Sequence, residues 1–202
     1  MKPDAIAFAT AGTMFGLLVG WIIGSQQSAA RPPAPRQVAS APTQAPPSRA
    51  VPLDEAQVET LKTAAAKEPT DALPRVQLGN LYFDAERFTD AITWYSEALA
   101  LAPDNVDVST DLGVSYYYID QPDRALEQFD RSLKIDPAHT KTILNMGIVK
   151  AFGKQDLKGA AEAWARVVEL APDSPEGQAA RGALERMRTA HAEAEAADRP
   201  GI

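Results

Sequence analysis

The sequence predicts an all-α superhelical solenoid of about three helix-pair repeats with capping helices, preceded by a single transmembrane helix and a proline-rich linker. Three observations carry this. Gly79, Gly113, Gly147 and Gly182 are spaced by 34, 34 and 35 residues, and Pro69, Pro103, Pro137 and Pro172 keep the same step. Ala91, Ala125 and Ala160 run in phase with them, as do Tyr95, Phe129 and Trp164. A fixed period of this length marks a stack of supersecondary units, each too small to bury its own apolar face. The third observation is a run of 20 uncharged residues from Ala5 to Gly24.

That run makes residues 1–30 a membrane element, since about 20 apolar residues cross a bilayer. A cleaved signal peptide ending at Ser28-Ala29-Ala30 is the rival reading. Its apolar core is normally shorter than this one, and Lys2 is offset by Asp4. The expectation is therefore a retained anchor. Within it Gly12, Gly16, Gly20 and Gly24 lie four apart, a small-residue stripe that lets another helix approach closely. Homo- or hetero-association through this face is expected. A structural role, with the stripe holding a membrane complex together, is the alternative reading of the whole chain. Lys2 on one side and Arg31 and Arg36 on the other leave the positive-inside count nearly balanced.

Residues 31–52 hold seven prolines and no large apolar cluster. They read as a semi-extended linker of up to ~70 Å at polyproline rise. Residues 53–190 read as the repeat domain. The opening helix, Leu53 to Lys67, lies in a half-repeat, 53–71, with an acidic first turn and lysines near its end, which suits the helix dipole.

Repeat one, 72–105, pairs a helix over Leu73–Asp84 with one from about Thr89 to Leu101. Gly79 and Ala91 are small enough for the two helices to cross closely. Tyr95 shares the face of Ala91, four residues earlier. Pro103, Pro137 and Pro172 end the second helices, and Asp104, Asp136 and Asp173 supply turn and capping groups. Repeat two is 106–139. Repeat three, 140–174, has Lys150 where Tyr82 and Tyr116 stand, and one extra residue between Gly147 and Ala160. The insertion is expected within Phe152–Leu157, in the turn. A final helix runs from Pro175 to about Ala197, with a capping part at 175–190 and a polar tail at 191–202.

No cysteine is present, which excludes disulfides, thiol nucleophiles and thiolate metal sites. Residues 1–52 carry four basic residues and one acidic, whereas 53–202 carry 16 basic and 26 acidic. An acidic repeat domain argues against nucleic acid. His139 and His191 lack partners at metal-ligand spacing, and no glycine loop cradles phosphate. No catalytic residue, metal or cofactor is predicted.

The phased Gly79, Ala91, Tyr95 and Pro103, with their recurrences, resemble the tetratricopeptide repeat over residues 54–187. The resemblance implies that the first helices line a concave groove that binds a protein or peptide. The implied face is Leu73, Val76, Gln77, Asn80, Phe83 and Asp84 in repeat one, then Asp107, Thr110, Asp111, Val114, Tyr117 and Tyr118 in repeat two. Repeat three adds Lys141, Leu144, Asn145, Ile148, Ala151 and Phe152. Some members clamp a terminal carboxylate with Lys and Asn there. Asn80, Lys141 and Asn145 match, but Val76, Asp107 and Asp111 stand where a cation or amide is needed, and an acidic middle repels a carboxylate. The rings Phe83, Tyr117, Tyr118 and Phe152 are expected to form a continuous apolar strip, while Tyr82 and Tyr116 pack against the next repeat.

Anchor, stalk and few repeats together are similar to the membrane-tethered repeat proteins of bacterial cytochrome c maturation. That likeness implies a single-pass protein of the bacterial inner membrane, amino terminus in the cytoplasm and repeats in the periplasm, acting as a scaffold or adaptor and not as an enzyme.

Overall fold

The computed structural model describes residues 51–197. The predicted anchor, most of the linker, and the stripe Gly12, Gly16, Gly20 and Gly24 lie outside the described residues. Among the described residues there are eight α-helices and no strand. They are α1 (Glu55–Lys67), α2 (Leu73–Asp84), α3 (Phe88–Leu101), α4 (Val106–Tyr118), α5 (Pro122–Ile135), α6 (Thr140–Ile148), α7 (Leu157–Leu170) and α8 (Pro175–Ala197). None of these is long and apolar enough to cross a membrane.

Four of the eight helices, α1, α4, α7 and α8, start where a side chain meets orphan N–H groups. Asp54 accepts from the amides of Ala56 and Gln57 at 3.0 and 3.1 Å. Asn105 accepts from Val108 at 3.1 Å, Asp156 from Gly159 at 2.8 Å and Ser174 from Gly177 at 3.0 Å. The caps of α4 and α8 thus fall one residue after Asp104 and Asp173, the acids expected to serve there. Asp136 works in the turn instead, accepting from the Ala138 amide at 2.9 Å. α3, α5 and α7 stop two residues before Pro103, Pro137 and Pro172, with extended ψ values at Ala102, Asp136 and Ala171.

Within each repeat the packing follows from one small residue beneath one ring. A Cβ added to Gly79 would strike the ring of Tyr95, one on Gly113 that of Phe129, and one on Gly147 that of Trp164. Ala91, Ala125 and Ala160 are each fully buried beside them. Gly182 is in phase but meets no ring; the far end of Arg186 covers it. Tyr82 and Tyr116 are buried, and each has an arginine of the same repeat over its ring, Arg87 at 5.0 Å and Arg124 at 4.0 Å.

Repeat two also has a polar interior. Gln128 Nε2 donates to Ser109 Oγ at 2.7 Å, and Ser132 Oγ lies 2.7 Å from the same atom. All three residues are buried. Satisfied among themselves, they avoid the ~1–3 kcal/mol cost of an unpaired buried group.

The extra residue of repeat three is not in the turn. The turns keep one geometry: Glu86, Asp120 and Gln155 hold φ of 57°, 58° and 57°. The next residue's amide closes each turn, Arg87 onto Tyr82 O at 2.8 Å and Gln121 onto Tyr116 O at 3.0 Å. In repeat three Asp156 donates to Lys150 O at 2.8 Å, spanning one residue more. The insertion is taken up upstream, where α6 widens into a π-helical turn over Val149–Gly153. A π-turn absorbs one residue while keeping the helix hydrogen-bonded, so the turn geometry survives.

Candidate functional site: the first-helix face

The first helices α2, α4 and α6 supply the face. α4 touches α6, and α6 touches α8, so the face runs along the stack. Val76, Phe83, Val114, Tyr117, Leu144, Ile148 and Phe152 are half-buried on it, and Asn80, Asp107 and Tyr118 are exposed. Thr110 and Ala151 are buried and drop out of the predicted face.

Asn80 is held by its own repeat, because the Tyr95 hydroxyl donates to its Oδ1 at 2.8 Å. Burial holds the Tyr95 phenol far above its ordinary range, with Asp111 and Asp84 adding to the effect, so the hydroxyl keeps its proton.

The middle of the face is polar and internally paired. Lys141 Nζ lies 2.7 Å from Asp111 Oδ1. Burial raises the Asp111 carboxyl above its usual value; Lys141 opposes that shift through its hydrogen bond and charge. Asp107 Oδ1 faces His139 Nε2 at 3.4 Å. His139 Nδ1 lies 2.6 Å from Thr142 Oγ1, which lies 2.6 Å from Thr110 Oγ1. The middle is therefore less open than expected: Asp111 is paired with Lys141 of the next repeat, and Asp107 has His139, at the end of its own repeat, beside it.

Asp107, His139 and the threonines stand in the order of a nucleophile relay. Both hydroxyls are at 0% exposure, so no substrate carbonyl reaches them. The seam instead fixes α4 against α6. Among the described residues no group of three or more His, Asp or Glu is placed to hold a metal.

The rings do not form an open strip. Phe83 and Tyr118 meet edge-on at 5.9 Å, and Phe88 stacks on Tyr118 at 4.4 Å. Tyr117 lies 6.1 Å from Tyr118. Phe152 packs against the buried cluster that includes Ala151 and Trp164. The π-turn carries Gly153 against repeat two, where an added Cβ would sit 2.9 Å from Pro122 and 3.2 Å from Tyr117. Phe88 was not foreseen: it opens a second helix, and its phase partners are Pro122 and Leu157, so no periodic signal marks it.

Residues 79–119 match the family model described as TPR repeat. The chain is 27% identical over 112 residues to protein O-mannosyl-transferase TMTC3 of Homo sapiens, covering 55% of this chain and 12% of that protein. It is 26% identical over 128 residues to the heat-shock protein cognate co-chaperone sgt12 of Aspergillus fumigatus, covering 63% of this chain and 37% of that protein. Each match thus spans well under half of the relative's length. Among solved structures, the first TPR of Spaghetti (RPAP3), bound to the HSP90 peptide SRMEEVD, superposes with a TM-score of 0.54 at 26% identity, over 60% of this chain and 93% of that one. MamA superposes at 0.53 and 15% identity, over 68% and 89%. Residues 79–119 thus match a tetratricopeptide-repeat model, and the helix pairs of residues 51–197 stack in a fold like that of the solved tetratricopeptide-repeat domains.

Proposed function

We propose that this protein is a membrane-tethered adaptor that takes an extended segment of a partner protein along the face of α2, α4 and α6. What supports the reading is a row of half-buried apolar side chains, Val76, Phe83, Val114, Tyr117, Leu144 and Ile148, drawn from successive first helices. Side chains of that kind anchor peptides in helical grooves. A neighbour at 26% identity carries a bound peptide, which supports a peptide as ligand. The acidic peptide SRMEEVD of that neighbour fits this face poorly, because Lys141 is already paired with Asp111 and Val76 offers no charge. The alignment with TMTC3 covers 12% of that transferase, so its activity is not carried over.

In the fuller reading, residues 5–24 cross the bacterial inner membrane and the linker holds the repeats in the periplasm. There they serve cytochrome c maturation or another envelope assembly process. Residues Ala5–Gly24 and the seven prolines of 31–52 support it.

The test places a photo-crosslinking residue at Val114, Ile148 or, on the second-helix side, Glu127 of the full chain in membranes. Val114 and Ile148 should trap the same protein and Glu127 should not. Trapping from Glu127 alone overturns the groove reading. Protection of the repeats from protease added to spheroplasts overturns the periplasmic placement.

A further inference from the structure

Of the side chains expected on the first-helix face, Lys141 alone is a cation. It does not stand free. Its Nζ lies 2.7 Å from Asp111 Oδ1, across the gap from α6 to α4. Lys141 is 41% exposed and Asp111 27%, so a segment bound along the face would lie against the pair. Asn145, one turn on from Lys141, turns its Nδ2 back onto the Lys141 carbonyl at 2.8 Å. Lys141 is therefore the group on α6 that an anion would seek.

Asp111 cannot release this cation without loss. Burial raises its carboxyl, and the hydrogen bond and charge of Lys141 oppose that rise; Asp107 adds to it and His139 opposes it. A partner carboxylate that took Lys141 would leave Asp111 half-buried and unpaired. It would also bring a third negative charge beside Asp111 and Asp107. What the new ion pair gained, the broken one would lose. A segment with no carboxylate at this point leaves the pair intact. Its apolar side chains can then rest on Val114 and Ile148, further along α4 and α6.

We propose that Asp111 is the specificity-determining residue of this face: by holding Lys141 it turns away acidic segments and admits those that carry no carboxylate where they cross α4 and α6. The inference rests on the adaptor reading and names the chemistry of the segment that reading requires. The selection comes from a competing and repelling group, not from the lack of a cation. Removing the Asp111 charge should therefore uncover a preference for acid that the parent chain suppresses.

The probe is the acidic peptide SRMEEVD, which a structural neighbour binds, with SRMQQVN-amide as its twin without carboxylates. Each is labelled with a fluorophore and titrated into the full chain in uncharged detergent micelles, with binding read as anisotropy. The parent should bind SRMEEVD no more tightly than the twin. Asp111→Asn should bind SRMEEVD about threefold or more tightly than the parent does, with the gain fading in salt and the twin's binding unchanged. Lys141→Gln added to Asp111→Asn should remove the gain, an outcome that a merely structural role for Asp111 does not produce. Asp111→Ser repeats the measurement if the asparagine variant loses helicity. A parent that already prefers SRMEEVD, or a gain that is absent or that survives Lys141→Gln, overturns the proposal. The crosslinks from Val114 and Ile148 separate the two claims. If they form while Asp111→Asn gains nothing, the role of Asp111 alone is rejected; if they never form, the adaptor reading falls.

Discussion

Trp164 lies over Gly147 so closely that a Cβ on the glycine would collide with the indole, whose Nε1 donates to the Leu144 carbonyl at 3.2 Å. The indole thus fills the helix crossing and also ties α7 to α6. Gly147→Ala must move a ring that is 2% exposed. Overpacking of this kind costs ~1–3 kcal/mol, which outweighs the ~1 kcal/mol that alanine gains in a helix. Gly182→Ala meets only the end of Arg186, at 3.4 Å, so it should stabilise by up to ~1 kcal/mol. Thermal melts should move in opposite directions for the two variants.

Ala125 has 0% exposure, and its carbonyl lies 3.3 Å from where a Gly113 Cβ would stand. Ala125→Leu should force α4 and α5 apart and cost ~1–3 kcal/mol. An unchanged denaturant midpoint would show that the crossing yields without loss.

The seam between repeats two and three is a matched set of hydroxyls. Thr142→Val alone takes the 2.6 Å partner from His139 Nδ1, while the Thr110 hydroxyl still donates to Val106 O at 2.8 Å, and should cost ~1–3 kcal/mol. Thr110→Val added to it should cost less than the sum of the single changes, with a coupling of at least ~0.5 kcal/mol. Strict additivity in a double-mutant cycle would contradict the shared network.

Asp111 gives a pH signature. Its folded carboxyl holds the proton to higher pH than an ordinary aspartate does, because burial outweighs Lys141. The folded state therefore binds more protons than the unfolded chain in that window, and stability falls as pH rises through it. Asp111→Asn removes this dependence while leaving the other carboxylates in place. The melting temperature of the parent chain minus that of Asp111→Asn should drop as pH is raised from about 3 to 6. A rising difference would mean that the ion pair with Lys141 dominates.

The sequence by itself determined where the helices lie and which small residue meets which ring. Gly79 with Tyr95, Gly113 with Phe129 and Gly147 with Trp164 are legible because contacts within one repeat recur at one spacing. Tyr82 and Tyr116, expected to pack against the next repeat, are buried, each under an arginine of its own repeat. Only the tertiary structure decided what lies between repeats. An added residue reads as a loop insertion until hydrogen bonding shows that a π-turn over Val149–Gly153 is the place that keeps both the helix and the left-handed turn. Asp107 and Asp111 read as open charge until His139 and Lys141, some thirty residues on, are brought against them. Phe88 has no periodic counterpart, and it joins Phe83 and Tyr118 because the turn at Glu86 folds α3 back against α2 and α4. Periodicity records contacts that every repeat shares, and contacts that a single pair of repeats makes once leave no period to read.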